Sequence, residues 1–125
     1  MPPTTLSDAI SQYGREAYLL TVGTDGPHTS QVSVDLHGNL IDCDIGASAA
    51  KNIAKEPNVS HFWPPLEPGG YAMILNGIAS RKPASTDVIQ AEIALTKSVF
   101  HRRGPKPANS DGPCASDCKR IVREA

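Results

Sequence analysis

The sequence predicts a small, mainly β domain in which about six antiparallel strands form a closed or split barrel with two short helices. Three strand-like runs, residues 17–23, 28–36 and 40–45, precede the first internal helix and are separated only by short turns. Strands joined in this way form an antiparallel meander, because a parallel sheet needs a crossover connection, usually a helix, between successive strands. Closing the sheet into a barrel pairs its edges, and 125 residues suffice for one such core.

Local signals define the elements before the first internal helix. Residues 6–16 are predicted to form a helix with Ser7 as its N-cap. Asp25 followed by Gly26 marks a hairpin turn between the first and second strands, and residues 37–39 form a second turn. Apolar residues alternate with polar ones along the second and third strands, which predicts that one face of each strand is buried.

The second half of the chain supplies the remaining strands. Residues 59–63 and 71–81 are predicted strands on either side of a Pro- and Gly-rich loop. Gly77, inside the longer strand, indicates a bulge or a close backbone contact. Residues 82–87 form a turn, and residues 88–100 fit either a strand or a helix. We favour a strand there, because the sheet needs one more strand to close.

The chain is predicted to divide into a barrel domain, residues 1–103, and a Pro- and Gly-rich tail, residues 104–125. The tail is expected to be partly extended and able to pack on a partner subunit. Cys114 and Cys118 lie in it with a C-x3-C spacing, for which free thiols are favoured, with a disulfide and a metal or redox role as alternatives. Cys43 lies inside an alternating strand and is expected to be a small packing residue.

Composition argues against several classes of function. A formal net charge of -1 and an aromatic content of 5% disfavour nucleic acid as a partner. No apolar run approaches the roughly 20 residues that a membrane helix needs, and the first residues lack the pattern of a secretory signal, so we expect a cytoplasmic protein. The sequence contains no nucleophile–base pair and no metal-ligand spacing, and it therefore predicts neither catalytic residues nor a metal site.

The most informative stretch, residues 44–57, is predicted to contain a strand end, a tight turn and a short helix. Gly46 breaks the strand, and Ser48 is predicted to be the N-cap of the helix. Lys51 follows three residues later, so its ammonium group can fold back over the free N–H groups of the first turn, where phosphates bind. Asn52 adds an amide. These residues alone leave two interpretations open, a phosphate site and an ordinary capped surface helix, of which the second is more common.

Several short motifs occur in one order along the chain. They are the runs 17–22 with 25–28, 29–32, 48–53 with 56–59, 76–79 and 94–101. Together they resemble the first hairpin, the strand beneath the flavin ring, the phosphate-binding turn and helix, the G-x-A strand and the last barrel strand of the pyridoxamine 5'-phosphate oxidase-like, FMN-binding split-barrel family. The resemblance covers about residues 6–103 and favours the phosphate-site interpretation of Lys51.

The resemblance implies a homodimer with cofactor pockets between the subunits, and either FMN or the deazaflavin coenzyme F-420 as the cofactor. The residues it implies for cofactor binding are Ser48 and Lys51 at the phosphate with Asn52 nearby, Ser30, Gln31 and Val32 at the ring, and Trp63 and Tyr71 reaching across from the second subunit. The arginine that often lies near the family's phosphate turn is missing, and its C-terminal substrate-binding segment is not recognisable. We therefore do not expect a true pyridoxamine 5'-phosphate oxidase.

By this resemblance the protein is expected to be an FMN- or deazaflavin-dependent oxidoreductase acting on an unknown small substrate. Two alternatives share the same fold, a flavin-binding protein without turnover and a cofactor-free dimeric interaction module. Lys51 with Ser48 favours a cofactor. Asp42 and Asp44, which would repel a phosphate if they faced the pocket, keep the interaction module open.

Overall fold

The structure, a computed structural model, describes residues 5–83, 87–103 and 116–121. Within these residues the chain forms two helices and seven strands. In chain order they are α1 (Leu6–Tyr13), β1 (Glu16–Gly23), β2 (Gly26–His37), β3 (Leu40–Ile45), α2 (Ala47–Lys55), β4 (Asn58–Trp63), β5 (Ala72–Arg81), β6 (Ile89–Arg103) and β7 (Ser116–Arg120). Neither of these helices is long and apolar enough to cross a membrane.

The strands form one antiparallel barrel. Their order is β3-β2-β1-β4-β5-β6, and pairing of β3 with β6 closes the sheet. β7 extends the sheet beyond this closure, because residues 89–94 of β6 pair with β3 whereas residues 99–103 of the same strand pair with β7. The mainly β split-barrel class and the strand interpretation of residues 88–100 are therefore confirmed.

Some of the predicted segments include residues outside the described ranges. These are residues 84–86 in the predicted turn and residues 104–115 and 122–125 in the predicted tail, including Cys114. Within the tail, β7 pairs with β6 of its own chain. The division into a barrel domain and a separate tail, and the state of the C-x3-C pair, stay predictions.

Alternation along the strands places the core inside the barrel. On β1, Leu19 and Thr21 are buried, whereas Tyr18 and Val22 are exposed on the outer face. The two helices cover opposite ends of the barrel. α1 lies near the end of β4, where the Trp63 indole N–H donates to the Gly14 carbonyl at 2.9 Å. α2 lies at the other end, beside β1 and β5.

The ends of α1 differ from the predicted ones. The N-cap is Thr5 and not Ser7, because the Thr5 hydroxyl accepts a hydrogen bond from the Asp8 N–H at 3.2 Å. The helix ends at Tyr13, three residues before the predicted end, because Gly14 adopts φ 91°. Glycine enters this region without strain, so the chain turns there and continues into β1.

The N-terminus of α2 also differs from the prediction. Gly46 is the N-cap, and Ser48 is the second residue of the helix and makes no capping hydrogen bond. β3 ends at Ile45, so a single extended residue, Gly46, already changes the chain from strand to helix. The predicted capping role of Ser48 is therefore wrong.

Gly77 combines the two features that the sequence left as alternatives. The register between β5 and β6 shifts between Asn76 and Gly77, which is a bulge. A Cβ atom on Gly77 would lie 2.6 Å from the Ala94 carbonyl oxygen and 2.5 Å from Ile93 Cγ2. The two strands therefore approach so closely at this position that only glycine fits.

Candidate functional site

An apolar groove lies on the outer face of the sheet, across β1, β4 and β5. The strand register places Tyr18 beside Phe62 and Phe62 beside Ile74, so these side chains form one row. The groove has a volume of about 510 Å³ and is lined by Tyr18, Leu20, Thr29, Ser60, Phe62 and Ile74. Because Tyr18 is 39% exposed, the groove presents aromatic and aliphatic surface that an apolar ligand or partner can cover.

A cleft with cationic side chains lies between the end of β1 and one side of α2. It has a volume of about 540 Å³ and is lined by Val22, Gly23, Thr24, Ser48, Lys51, Asn52, Lys55 and Glu56. Lys51 and Lys55 are one helical turn apart, so they lie on the same side of α2. In the described part of the chain, neither lysine belongs to an ion pair. Two such cations in one cleft suit an anionic group such as a phosphate.

Asn52 fixes α2 against the barrel. Its Nδ2 donates to Thr21 Oγ1 at 2.9 Å, and Thr21 is only 2% exposed. Gly23 allows the close approach, because a Cβ atom at this position would lie 3.3 Å from Asn52 Nδ2 and 3.0 Å from the Gly26 carbonyl oxygen. Since Lys51 is the preceding residue, the same hydrogen bond positions this side of the helix over the cleft.

One acidic residue lines the cleft, and two others near it in the sequence do not. Glu56 Oε1 accepts hydrogen bonds from Asn58 Nδ2 at 2.6 Å and from the Asn58 N–H at 3.1 Å. These bonds, the side-chain bond first, lower the pKa of Glu56 from its ordinary value. Asp42 contacts Lys82 Nζ at 3.3 Å, and both Asp42 and Asp44 lie outside the cleft lining. The repulsion considered for these two residues is therefore not exerted from within the cleft.

A polar passage joins the groove to the cleft. It has a volume of about 420 Å³ and is lined by Leu20, Thr21, Val22, Asn58, Val59, Ser60, Asn76, Gly77, Thr96 and Lys97. It shares Leu20 and Ser60 with the groove and Val22 with the cleft. We call the continuous surface formed by groove, passage and cleft the trough. It has an apolar floor, a polar middle and a cationic end.

The structure brings together some of the predicted cofactor-binding residues. Ser48, Lys51 and Asn52 share the cationic cleft, which follows the side of α2 and reaches the first helical turn only at Ser48. The predicted ring residues on β2 point to different sides. They are Ser30 and Val32 on the inner face, paired with buried Leu19 and Ala17, and Gln31 on the outer face, paired with Tyr18. Alternation along a strand imposes this separation.

Trp63 and Tyr71 lie close to α1 of their own chain. Trp63 is 1% exposed and belongs to the core. Tyr71 is half-buried near α1, where its carbonyl accepts a hydrogen bond from the Tyr13 hydroxyl at 2.7 Å and the Arg102 guanidinium lies 4.5 Å from its ring centroid. Both lie at the end of the barrel opposite the cationic cleft of their own chain, and their contact with a partner's pocket stays a prediction.

The floor of the trough was not predicted from the sequence. Tyr18, Leu20 and Thr29 lie in the motif runs 17–22 and 29–32, and Phe62 and Ile74 in predicted strands, but none of the five was predicted to bind a ligand. One signal was available: β1 is apolar on both faces, since Leu19 alternates with Tyr18 and Leu20 without a polar residue between them. A strand of this kind needs cover on its outer face as well as on its inner one.

Inside the barrel, Cys43 Sγ lies 3.8 Å from His61 Nε2, and both side chains are buried. Burial lowers the pKa of His61 to about 4. Burial, followed by the nearby Asp44 and Asp42 carboxylates, raises the pKa of Cys43 to about 12. Both groups are therefore neutral at pH 7 and sealed from the trough. Among the described residues, no three His, Cys, Asp or Glu side chains are placed to hold a metal ion.

No protein-family model matches the sequence. Uncharacterized proteins from Mycobacterium bovis and Mycobacterium tuberculosis are each 30% identical to it over 99 residues, which are 77% of this chain and 63% of the relative. The chain therefore spans less than two thirds of the length of the curated relatives that it matches.

Solved structures show the fold clearly. A putative pyridoxamine 5'-phosphate oxidase from Listeria innocua has a TM-score of 0.64 at 16% identity, covering 75% of this chain and 94% of that one. A heme binding protein from Mycobacterium smegmatis has a TM-score of 0.60 at 17% identity, with coverages of 89% and 55%. An F420 reductase has a TM-score of 0.57 at 16% identity, with coverages of 71% and 94%. The chain thus has the split-barrel fold of the pyridoxamine 5'-phosphate oxidase-like proteins; at these identities the similarity shows the fold alone.

Proposed function

We propose that the protein binds a flavin-type cofactor, FMN or the deazaflavin coenzyme F-420, in the trough and acts as an oxidoreductase on a small substrate. The observation that carries this proposal is the continuity of the trough from an apolar floor to a cleft with two lysines. FMN has the same order of parts, a flat ring at one end and a phosphate at the other. The similarity to an F420 reductase and to a putative pyridoxamine 5'-phosphate oxidase supports a cofactor of this kind.

The side chains of the trough fit the parts of such a cofactor. Tyr18 and Phe62 would contact the face of the ring, since aromatic and apolar side chains bind flat rings. Lys51 and Lys55 would neutralise the phosphate, and the Ser48 hydroxyl would donate to it. When bound, the cofactor would supply hydride or electron transfer, while the protein orients it and sets its electrostatic surroundings.

A homodimer is part of this proposal. Two further apolar side chains lie on the outer face, Val22 at 50% exposure and Ile78 at 41%. Isolated exposed apolar residues are ordinary, but Val22 follows the floor residue Leu20 on the same face, and Ile78 follows Asn76 of the passage. A second copy packed on this face would cover the floor and exclude water from a bound ring. A cytoplasmic location, expected from the sequence, also belongs to the proposal.

Other ligands and roles make different predictions. The similar structures include a heme binding protein, but the described residues that line the trough include no His, Cys or Met, which are common ligands of haem iron. This favours a flavin over haem. A cofactor-free interaction module would give Lys51 and Lys55 no common anion to bind.

Separate titrations of the purified protein with FMN, F-420 and haemin test the proposal, followed by absorbance and by ring fluorescence. We expect saturable binding of FMN or F-420, weakened tenfold or more in Lys51→Met, because a charge-assisted contact worth about 1.4 kcal/mol or more is lost. Lys119→Met, which removes an exposed cation on β7 outside the trough lining, is the matched control and should bind like the wild type. Binding of haemin alone, or of none of the three, would overturn the proposal.

Turnover is measured separately from binding. The bound cofactor is reduced without oxygen and mixed with unsaturated carbonyl compounds and quinones, and its reoxidation is followed by absorbance. An oxidoreductase should reoxidise faster than the free cofactor, at a rate that saturates with substrate. Tight binding without such acceleration would show a flavin-binding protein instead of an enzyme.

A further inference from the structure

The bulge between β5 and β6 places two consecutive side chains in the trough. Asn76 pairs with Lys97 and Gly77 pairs with Leu95, so Thr96 is an additional residue in β6. The burial pattern shows the same break, because Leu95 and Ser98 are buried whereas Thr96 and Lys97 are both exposed. In a regular strand one of these two would point into the barrel. Bulges that redirect a side chain in this way are frequent beside functional sites.

The bulge holds Lys97 in a defined place without using its charge. Thr96 Oγ1 donates to the Asn76 carbonyl at 3.2 Å, which ties the extra residue to β5. Among the described residues, Lys97 makes no ion pair, and the side-chain amide of half-buried Asn76 has no hydrogen-bond partner. A cation and an amide with donor and acceptor capacity therefore stand together at the polar middle of the trough.

Lys97 and Asn76 are aligned with the apolar floor. The register runs from Leu20 to Ser60, from Ser60 to Asn76 and from Asn76 to Lys97, so one row across the sheet changes from apolar to polar to cationic. A flat ring lying on the floor and extending along this row would meet the amide and the ammonium group at its edge. This cation is separate from Lys51 and Lys55, which line the cleft beside α2.

We propose that Asn76 and Lys97 bind the cyclic imide edge of the cofactor ring and that Lys97 favours its reduced form. This inference rests on the proposed function and deepens it. An imide edge presents a carbonyl, an N–H and a second carbonyl, which match the donor and acceptor of an amide and the N–H groups of a lysine. Addition of two electrons and one proton to the neutral oxidised ring leaves one negative charge, which the imide edge shares. A cation placed there stabilises the reduced ring more than the oxidised one.

The two cationic positions therefore have different consequences. The phosphate carries its charge in both oxidation states, so Lys51 contributes to the affinity for both. Lys97 acts on a charge that exists only after reduction, so it couples affinity to oxidation state. By linkage, a residue that binds the reduced form more tightly raises the reduction potential by the equivalent amount.

The test is the midpoint potential of bound FMN, reduced stepwise with dithionite in the presence of a dye of known potential, in full-length wild type, Lys97→Met, Lys97→Arg and Lys51→Met. In Lys97→Met we expect the affinity for reduced FMN to fall about tenfold more than the affinity for oxidised FMN. For a two-electron couple this is a shift of the midpoint potential by about 30 mV to more negative values. Lys97→Arg should keep most of the wild-type potential. Lys51→Met should weaken both forms equally and leave the potential unchanged.

The outcomes separate the two proposals. If FMN binds and Lys51→Met weakens binding while the potential of Lys97→Met equals that of the wild type, the role of Lys97 is overturned and the proposed function stands. The role is also overturned if Lys97→Met and Lys51→Met shift the potential by the same amount. If the folded wild-type protein binds F-420 and not FMN, the same potentials are measured with F-420, and if it binds neither, both proposals fall. Because Lys97 is exposed on the sheet, its substitution should leave the unfolding temperature within a few degrees of the wild type.

Discussion

The inner and outer faces of the same strands carry polar groups with opposite properties. One row of side chains inside the barrel consists of Ser30, Leu19, His61, Leu75 and Ser98, and the neighbouring row outside consists of Thr29, Leu20, Ser60, Asn76 and Lys97. Inside, burial lowers the pKa of His61 to about 4 and makes it neutral at pH 7. Outside, Lys97 is exposed and its ammonium group is available to a ligand. Residues adjacent in the chain thus differ in burial because they lie on opposite faces of the sheet.

The largest effect is expected where the inner wall and the trough meet, at Gly77. In Gly77→Ala the new Cβ atom would lie 2.6 Å from the Ala94 carbonyl oxygen, and backbone cannot move aside cheaply. We expect a loss of about 3 kcal/mol in the free energy of unfolding, measured by urea denaturation. Gly46→Ala is the control, because nothing lies within 4 Å of a Cβ atom there, and as an N-cap substitution it should cost about 1 kcal/mol or less. A loss in Gly77→Ala no larger than in the control would show that the bulge accepts a side chain.

The second effect concerns the inner row and depends on pH. The pKa of His61 is about 4 in the folded protein, below the ordinary value of 6.5. Between these values the unfolded chain binds a proton that the folded chain does not, so stability falls as pH falls from about 6.5 to 4. His61 accounts for a loss of about 3 kcal/mol in the free energy of unfolding over this pH window. In His61→Gln, chemical denaturation at several pH values should show a smaller acid-induced loss of unfolding free energy than in the wild type. If the unfolding free energy depends on pH equally in both proteins, a group other than His61 takes up the proton on unfolding.

Substitution in the apolar floor of the trough should have the smallest effect on folding stability and the clearest effect on dimer formation. Tyr18→Ser removes an aromatic side chain that is 39% exposed in the protomer, so we expect about 1 kcal/mol or less in unfolding free energy. If a second copy covers this face, dimer dissociation measured by analytical ultracentrifugation should become at least tenfold easier. Leu66→Ser, at an exposed loop position outside the floor, is the matched control. Equal dissociation constants for both variants would exclude this face as the dimer interface.

Most of the fold followed from the sequence because its signals are local. The Asp-Gly signal at residues 25–26 predicted the β1–β2 hairpin, in which the turn is Thr24–Asp25 and Gly26 already pairs with Gly23. Residues 40–45 form the predicted third strand without a change of boundary. The two predicted N-caps failed for an equally local reason. Ser7 and Ser48 are good capping residues, but the chain enters each helix earlier, at Thr5 and Gly46.

The trough was predictable only in part. Ser48, Lys51 and Asn52 are close in sequence and share one side of a helix, so their proximity follows from helical periodicity alone. The floor depends on which residues of β1, β4 and β5 stand opposite one another, and this register is fixed by long-range pairing that no local signal reports. Lys97 was missed for a further reason, since regular alternation from Leu95 onward places it on the inner face until the extra residue in β6 is known.

β6 pairs with β3, β5 and β7, and this affects when the barrel can fold during synthesis. β3 is complete early in synthesis, but its second neighbour is the first half of β6, which emerges only after α2, β4 and β5. Until then the nascent meander has an unpaired edge, which is the feature that chaperones and aggregation both recognise. Closure through such distant segments is also the kind of contact that slows folding. The barrel can therefore close, and the edge of β3 can be paired, only after β6 has been synthesised.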